Sequence, residues 1–420
     1  MNKNRITYLF LMMSVALMTS CLKNQDDVFD KSASIRSIEY LNNARKVLTS
    51  AENGWVMNYY PSSSKAYGGF SYVLKFNETE VTTFFVNGKT ETRQLTDGTV
   101  AEVPLPETTT YSLTNEDGPC IAFDTYSDYL HYYATPSAGA YEAKGGDFIF
   151  IILNISDDQN TITLKGNRSG NLVRLYRNTI SPEQYITECV NVTKAQLYET
   201  FVKDDVQLEL DLDGQQATVS VGEESEETAF IITNKGIQLY EPVTIGGNTF
   251  ESFIYNAANN TYIPENDQSL VLTGSLPAGW RSYEDLAGKY RVGASTITVK
   301  TNPDGKTYSI TGFVNNVSGT ITASYKYTKG SFVLWPQYAG MYADSYYIWL
   351  LAYGDDGLSW DQNIQFKGKN STTDPLTITF SAGGWNTIWA GAFEADPPTG
   401  DSYAGYLQQY TDPLKFERIE

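Results

Sequence analysis

The chain has 420 residues, with 30 basic against 49 acidic side chains, a net charge of −19, one histidine and three cysteines. A hydrophobic content of 41% beside 19% charged residues belongs to a folded chain of two to three domains, not a disordered one. The acid excess and the lack of a concentrated basic face exclude nucleic acid as a partner, and one histidine excludes multi-histidine catalytic centres and most histidine-based metal sites.

Lys3 and Arg5 precede an apolar run from Ile6 to Met18. The run is too short to cross about 30 Å of hydrocarbon at about 1.5 Å per residue, and it has the length of a signal-peptide core. It leads into Leu17-Met18-Thr19-Ser20-Cys21, which resembles the lipobox of bacterial lipoproteins, although Met18 stands where that motif prefers Leu. The resemblance makes 1–20 a lipoprotein signal peptide and Cys21 the lipid attachment site, carrying palmitate-type chains; the alternative is an ordinary signal peptide with a chance cysteine. Loss of Lys3 and Arg5 leaves the mature chain still more acidic, so lipid, not charge, must hold it at an anionic surface. Residues 21–33 read as a tether. Asp26-Asp27 behind the cysteine resembles the surface-export signal of Bacteroidota lipoproteins. The expected location is the outer membrane, lipid-anchored and facing the exterior.

From Ser34 the spacing of Ile35, Ile38, Leu41, Val47, Leu48 and Ala51 predicts a helix, with Gly54 as its C-terminal stop. Strands are expected at Trp55–Tyr60, Phe70–Phe76, Val81–Val86, Asp147–Ile155, Thr161–Lys165 and Leu172–Tyr176, and a loop from Ala101 to Thr110, which holds Pro104 and Pro106. Ser181-Pro182-Glu183-Gln184 signals a second helix, expected to run to Phe201. A hairpin, Val206–Leu212 and Ala217–Val221, turns at Asp213-Gly214. Strands follow at Ala229–Thr233, Phe250–Tyr255 and Leu270–Thr273, and Gly274 to Gly279 reads as a connection. After a helical turn at Ser282–Ala287 come strands at Thr296–Lys300, Thr307–Thr311, Ile321–Tyr325, Phe332–Trp335, Tyr346–Tyr353, Ile364–Lys367, Leu376–Phe380 and Leu414–Ile419.

The expected fold is therefore mainly β with a few short helices, built as antiparallel barrels or sandwiches. Gly54-Trp55 and Gly288-Lys289-Tyr290 each follow helix, and Arg174 and Arg418 each lie on a closing strand. This pairing resembles lipocalins, in which a last-strand arginine covers the ring after the helix. The domains are read as 34–178, a helix plus β; 179–275, a helix plus β region, separate or packed with the first; and 276–420, a Trp/Tyr-rich β domain.

Motifs for catalysis are missing: there is no HExxH, CxxC, Gly-x-Ser-x-Gly or Gly-x-Gly-x-x-Gly. No catalytic residue, metal site or cofactor is expected. Gly305-Lys306-Thr307 has the tail of a phosphate loop, but Asn302-Pro303-Asp304-Gly305 reads as a hairpin turn. Glu209, Asp211, Asp213 and Gly214 hint at a calcium loop, yet Ser220 occupies the closing position, so a solvated strand face is the better reading. Asp355, Asp356, Gly357 and Asp361 make a similar weak case. His131, among tyrosines, reads as a packing residue before a metal or haem ligand; Cys120 and Cys189 read as separate buried thiols before a disulfide.

Several strings together carry a family resemblance: Cys21 to Asp30, Ala51-Glu-Asn-Gly-Trp55, Tyr67-Gly-Gly-Phe-Ser-Tyr72, Phe123-Asp-Thr-Tyr126, Leu130-His131-Tyr132, Gly145-Gly-Asp147, Leu164-Lys-Gly166, Gly236-Ile237 and Phe253-Ile-Tyr255. They resemble the DUF4302 family of Bacteroidota lipoproteins over about residues 21–270, with the last third less specifically similar to that family's variable C-terminal β region. The resemblance implies an accessory surface protein and supplies no catalytic residue.

Six of the seven tryptophans fall in the last third: Trp280, Trp335, Trp349, Trp360, Trp385 and Trp389. Tyr347, Trp349, Leu351 and Tyr353 alternate along one strand and are expected in the core. Trp360, Trp385, Tyr403 and Tyr406 lie in stretches rich in Gly, Asp and Ser and are read as exposed loop aromatics. Such rings beside carboxylates suit sugars, whose C–H faces stack while hydroxyls hydrogen-bond to the acids. The leading expectation is non-enzymatic capture of a nutrient ligand, glycan first and a haem-like or apolar molecule second, accessory to an outer-membrane uptake system with a transporter partner. The alternatives are a structural or partner-binding subunit of an outer-membrane complex and, behind it, a hydrolase working through paired carboxylates.

Overall fold

The computed structural model describes residues 32–420 apart from 95, 97, 116–117, 137–142 and 356. Cys21, Asp26, Asp27 and Asp356 therefore lie outside the described residues. The described chain is mainly β, in antiparallel sheets, with two α-helices. It divides into two compact units between Glu188 and Cys189.

In the first unit helix α1 (Ala33–Thr49) starts where the Ser32 hydroxyl accepts from the Ile35 amide. Only its second half is buried, through Ala44, Val47 and Leu48; Ile35 and Ile38 are exposed, so the apolar stripe is shorter than its spacing predicts. Gly54 turns the chain with φ +74°, and a Cβ there would sit 2.6 Å from the Leu74 carbonyl oxygen. A nine-stranded antiparallel sheet follows, with Trp55–Tyr59 in its interior between Phe70–Phe76 and the central strand Leu172–Arg177. Its two edge strands, Glu107–Thr110 and Ser112–Thr114, are consecutive in the chain and separated only by Tyr111. One bent segment thus pairs with Glu80–Phe85 on one side and Cys120–Ala122 on the other, bringing the sheet round on a single core. The stretch expected to be a loop is partly strand: Val100–Pro104 pairs with Thr90–Gln94 in a two-stranded ribbon. Both of its strands are edges, where proline's missing amide costs nothing.

Trp55 is fully buried; its indole N–H donates to the Leu48 carbonyl at 2.9 Å, tying the sheet to α1. The arginine over its ring is Arg177, 4.8 Å from the centroid, not Arg174. Arg177 faces Trp55 directly in register, whereas Arg174 lies three residues further along, opposite Asn58. His131 packs between Tyr126 and Phe148, and its Nδ1 accepts from the Ser127 amide at 3.2 Å. Cys120 and Cys189 are both buried thiols.

Helix α2 (Pro182–Ala195) begins at the Ser181 hydroxyl, which accepts from the Gln184 amide at 3.2 Å. It stops short of Phe201, which enters a strand and is wholly buried in the second unit's first barrel. That barrel closes eight described strands, from Thr200–Lys203 to Leu272–Ser275. It includes Gly236–Ile245, a ten-residue strand the sequence reading passed over because polar residues interrupt its alternation.

The C-terminal barrel closes eight strands from Gly288–Val292 to Lys415–Arg418. Tyr290 is fully buried and donates to the Leu286 carbonyl at 2.8 Å. Burial pushes its hydroxyl up to about 12, against the opposing pull of Arg418. Arg418 donates to the carbonyls of Asp285 and Ala287 at the end of the 3₁₀ turn Glu284–Leu286. Ring, turn carbonyl and closing-strand arginine thus repeat the device at Trp55. Two insertions in this barrel, one between Ser331–Leu334 and Phe366–Asn370 and one between Thr377–Ser381 and Lys415–Arg418, together form a further five-stranded sheet.

Candidate functional site

The inserted sheet is built from Tyr338–Tyr342, Tyr346–Gly354, Trp385–Phe393 and Tyr403–Gln409, with Gly357–Ser359 folding back on the second. Its two longest strands are apolar on both faces. Ile348, Leu350, Ala352, Ile388 and Ala390 belong to the barrel core and are fully buried. The other face carries Tyr347, Trp349, Leu351 and Tyr353, in register with Phe393, Gly391, Trp389 and Thr387.

The expected core position holds for Trp349 and Leu351, which are buried but outside the barrel core, while Tyr347 and Tyr353 are only half-buried. The barrel interior already holds Tyr290, Tyr308, Phe332, Phe366, Phe380 and Phe416. An interior packed to crystal-like density accepts the narrower aliphatic row and leaves the wider rings on the opposite face. Trp349, Leu351 and Phe393 form a small buried cluster of their own there.

More exposed rings lie on that cluster. Trp360 meets Phe393 edge-on at 5.9 Å, and Tyr403 meets the same ring at 5.4 Å. Tyr406 packs at 5.5 Å on Trp389, which stacks on Tyr353 at 4.3 Å. Tyr338 touches both Trp349 and Tyr347. Tyr406 is 61% exposed, and Trp360, Tyr403 and Tyr338 are each close to 40%. Gly391 sits among them because a Cβ there would meet the Leu351 methyl at 2.5 Å.

A carboxylate borders this face. The Trp349 indole N–H donates to Asp396 Oδ1 at 3.1 Å, and Asp396 itself is exposed. Burial, and then the Asp396 charge, raise the Tyr338 hydroxyl above the ordinary phenol value. The result is a row of fixed aromatic faces with an acceptor at its edge, an arrangement suited to flat, C–H-bearing surfaces that also carry hydroxyl donors.

Of the four residues singled out in the sequence, three share this face: Trp360, Tyr403 and Tyr406. Trp385 does not; it packs against the barrel core beside Gly354, where the strand register shifts. Trp385, Tyr403 and Tyr406 lie on strands, not loops. Sequence reasoning missed Trp389, Tyr353 and Tyr338 as partners and Asp396 as the acceptor. Trp389 and Phe393 stand four apart, an even spacing that places both on one face of a strand, and that signal was present.

The other candidates fall differently. Asp213 pairs with Lys326 and Lys367, so it is engaged by cations of the chain itself. In the 302–307 hairpin, Asp304 accepts from the amides of Lys306 and Thr307 at 2.9 Å each, and those donors cannot also cradle a phosphate. Among the described residues no group of three or more His, Cys, Asp or Glu side chains could hold a metal ion, and no helix is long and apolar enough to cross a membrane.

A family model described as a domain of unknown function, DUF4302, matches residues 25–257. The chain belongs to the DUF4302 family. A second model, DUF4987, also a domain of unknown function, matches residues 264–387. Residues 264–387 are thus similar to a second family. No curated protein matches the chain. The DUF4302 match covers the first sheet and most of the middle barrel; the aromatic face lies outside it, with Tyr338 to Trp360 inside the DUF4987 match and Trp389 to Tyr406 beyond its end.

Proposed function

We propose that this DUF4302 protein is a non-enzymatic surface lipoprotein that captures glycan on the aromatic face of its inserted sheet, as an accessory to an outer-membrane uptake system. The observation that carries the reading is the pair of ring groups on one face of the sheet, Tyr338 with Trp349 and Tyr353 with Trp389 and Tyr406, with Asp396 at the edge. Fixed aromatic faces stack on pyranose rings, and the carboxylate accepts their hydroxyls. The rings are held by neighbours before any ligand arrives, which lowers the entropy lost on binding. At the other end of the chain Cys21 carries the lipid, and the residues after it space the folded part from the bilayer.

Two experiments test the reading. The protein is titrated with neutral and acidic oligosaccharides while tryptophan fluorescence is followed, then again as Trp360→Ala and Tyr406→Ala. Both variants should stay folded and bind at least about tenfold more weakly, equivalent to about 1.4 kcal/mol; unchanged affinity in both refutes capture on this face. Replacing Cys21 by Ala should release the protein from the membrane fraction and abolish its acyl mass, and retention of both would refute the lipid anchor.

A further inference from the structure

A second aromatic concavity lies at one end of the C-terminal barrel, apart from the inserted sheet. It is a cleft of about 670 Å³ walled by Trp280, Tyr283, Tyr325 and Tyr327, with Glu284 and Lys306 at its rim. That volume falls in the range of small-molecule sites, about 300–1,000 Å³.

Its walls are fixed by their own polar tips. The Trp280 indole N–H donates to the Tyr327 carbonyl at 2.7 Å, Tyr283 Oη to the Thr307 carbonyl at 2.6 Å, and Tyr325 Oη to the Arg281 carbonyl at 2.8 Å. The rings meet edge to face, Trp280 with Tyr327 at 72° and Tyr283 with Tyr325 at 65°. With these three tips committed to backbone, the walls offer a ligand chiefly apolar ring surface, and the two charged side chains supply the polar contacts at the rim.

The charge pattern restricts the ligand. Glu284 and Asp285 set an acidic field at the Tyr325 wall. Phosphate is disfavoured further because Asp304 already takes the hairpin amides that would hold it. Lys306 at the rim disfavours a cation. An uncharged ligand with flat C–H faces and peripheral hydroxyls satisfies all of these, with Glu284 accepting and Lys306 donating.

We infer that this cleft is a second binding site for neutral saccharide, so that one chain engages a glycan at two places. The choice of ligand class rests on the reading of the chain as a glycan binder, while the cleft stands on its own geometry. Two sites on one polymer strengthen attachment through effective concentration without any new contact.

The test is calorimetric titration of the full chain with cellohexaose, maltohexaose and chitohexaose in turn. At least one of them should bind at two sites per chain. Tyr327→Ala, chosen because Tyr327 is 40% exposed, should remove one site and leave the other. Glu284→Gln should weaken the same site about tenfold while preserving the fold. The double variant Trp360→Ala/Tyr406→Ala should spare it and remove the other. If Tyr327→Ala and Glu284→Gln both leave stoichiometry and affinity unchanged, the cleft is not a saccharide site, even where the double variant abolishes binding. A single site lost in Tyr327→Ala and intact in the double variant upholds the cleft and overturns the sheet face. No binding of any of the three sugars overturns the cleft proposal.

Discussion

At the scale of single residues, one device recurs. An aromatic ring just after a helical segment is buried, bonded to the carbonyl of that segment, and attended by an arginine from the closing strand. Trp55 with Leu48 and Arg177 is one instance, and Tyr290 with Leu286 and Arg418 is the other. The rings and Arg418 were legible in the sequence, but Arg177 was not distinguishable from Arg174. Both sit on the same strand, and only the register with Trp55–Tyr59 decides between them. Arg177 also donates to the Ser50 hydroxyl and the Gln159 carbonyl, so its loss removes hydrogen bonds as well as the cation over the ring. Arg177→Ala should therefore destabilise the first unit by about 1–2 kcal/mol, from a cation–π contact of about 0.5–2 kcal/mol and bonds near the protein surface. Trp55→Ala empties a fully buried site and should cost about 3–5 kcal/mol. Urea denaturation of the two variants checks both the direction and the order.

At the scale of elements, most strands legible in the sequence have one apolar face or a β-branched run, Tyr346–Gly354 being apolar on both faces. The strands not legible there have other signatures. Trp385–Phe393 is apolar on both faces and contains Gly391, and Tyr403–Gln409 is rich in glycine and polar residues. Gly405, at φ +131°, lies in a stretch where the pairing register shifts twice, and such irregular strands read locally as loops. What makes them strands is pairing with neighbours far along the chain, which no local window contains. Gly391 belongs to this scale, because its missing side chain lets Leu351 and Phe393 close over it. Gly391→Val should push these two side chains apart at a stability cost of about 1–3 kcal/mol, as overpacking does. Oligosaccharide binding at the sheet face should weaken with it. Fluorescence titration beside a melting curve separates the two effects: a melted variant would show loss of both, whereas the expected variant keeps its cooperative transition.

At the scale of the whole molecule, the general β character and the barrel closures follow from short strands punctuated by turns, and the sequence carried them. The placement of charge did not show. Asp213, read as part of a solvated acidic strand face, holds Lys326 and Lys367 of the C-terminal barrel. Burial raises its carboxyl, but the two ammonium groups outweigh this and hold it below the usual carboxylate range. A depressed folded value stabilises the fold above the unfolded carboxylate value of about 3.9, and that contribution is lost as pH falls through the folded value. Because the group is partly exposed, the effect is small and salt-sensitive. Asp213→Asn should lower the melting temperature at pH 7 and make no difference near pH 2. An equal loss at both would assign the side chain a packing role only.

The rings spanning Tyr338 to Tyr406 are proposed to form one glycan-binding face. The most direct measurement is a crystal structure of the protein with the hexasaccharide that binds it most tightly. Sugar rings should stack on Tyr406 and Trp360, with a hydroxyl donating to the Asp396 carboxylate. A bare sheet face, with the saccharide bound only elsewhere on the chain, would contradict this.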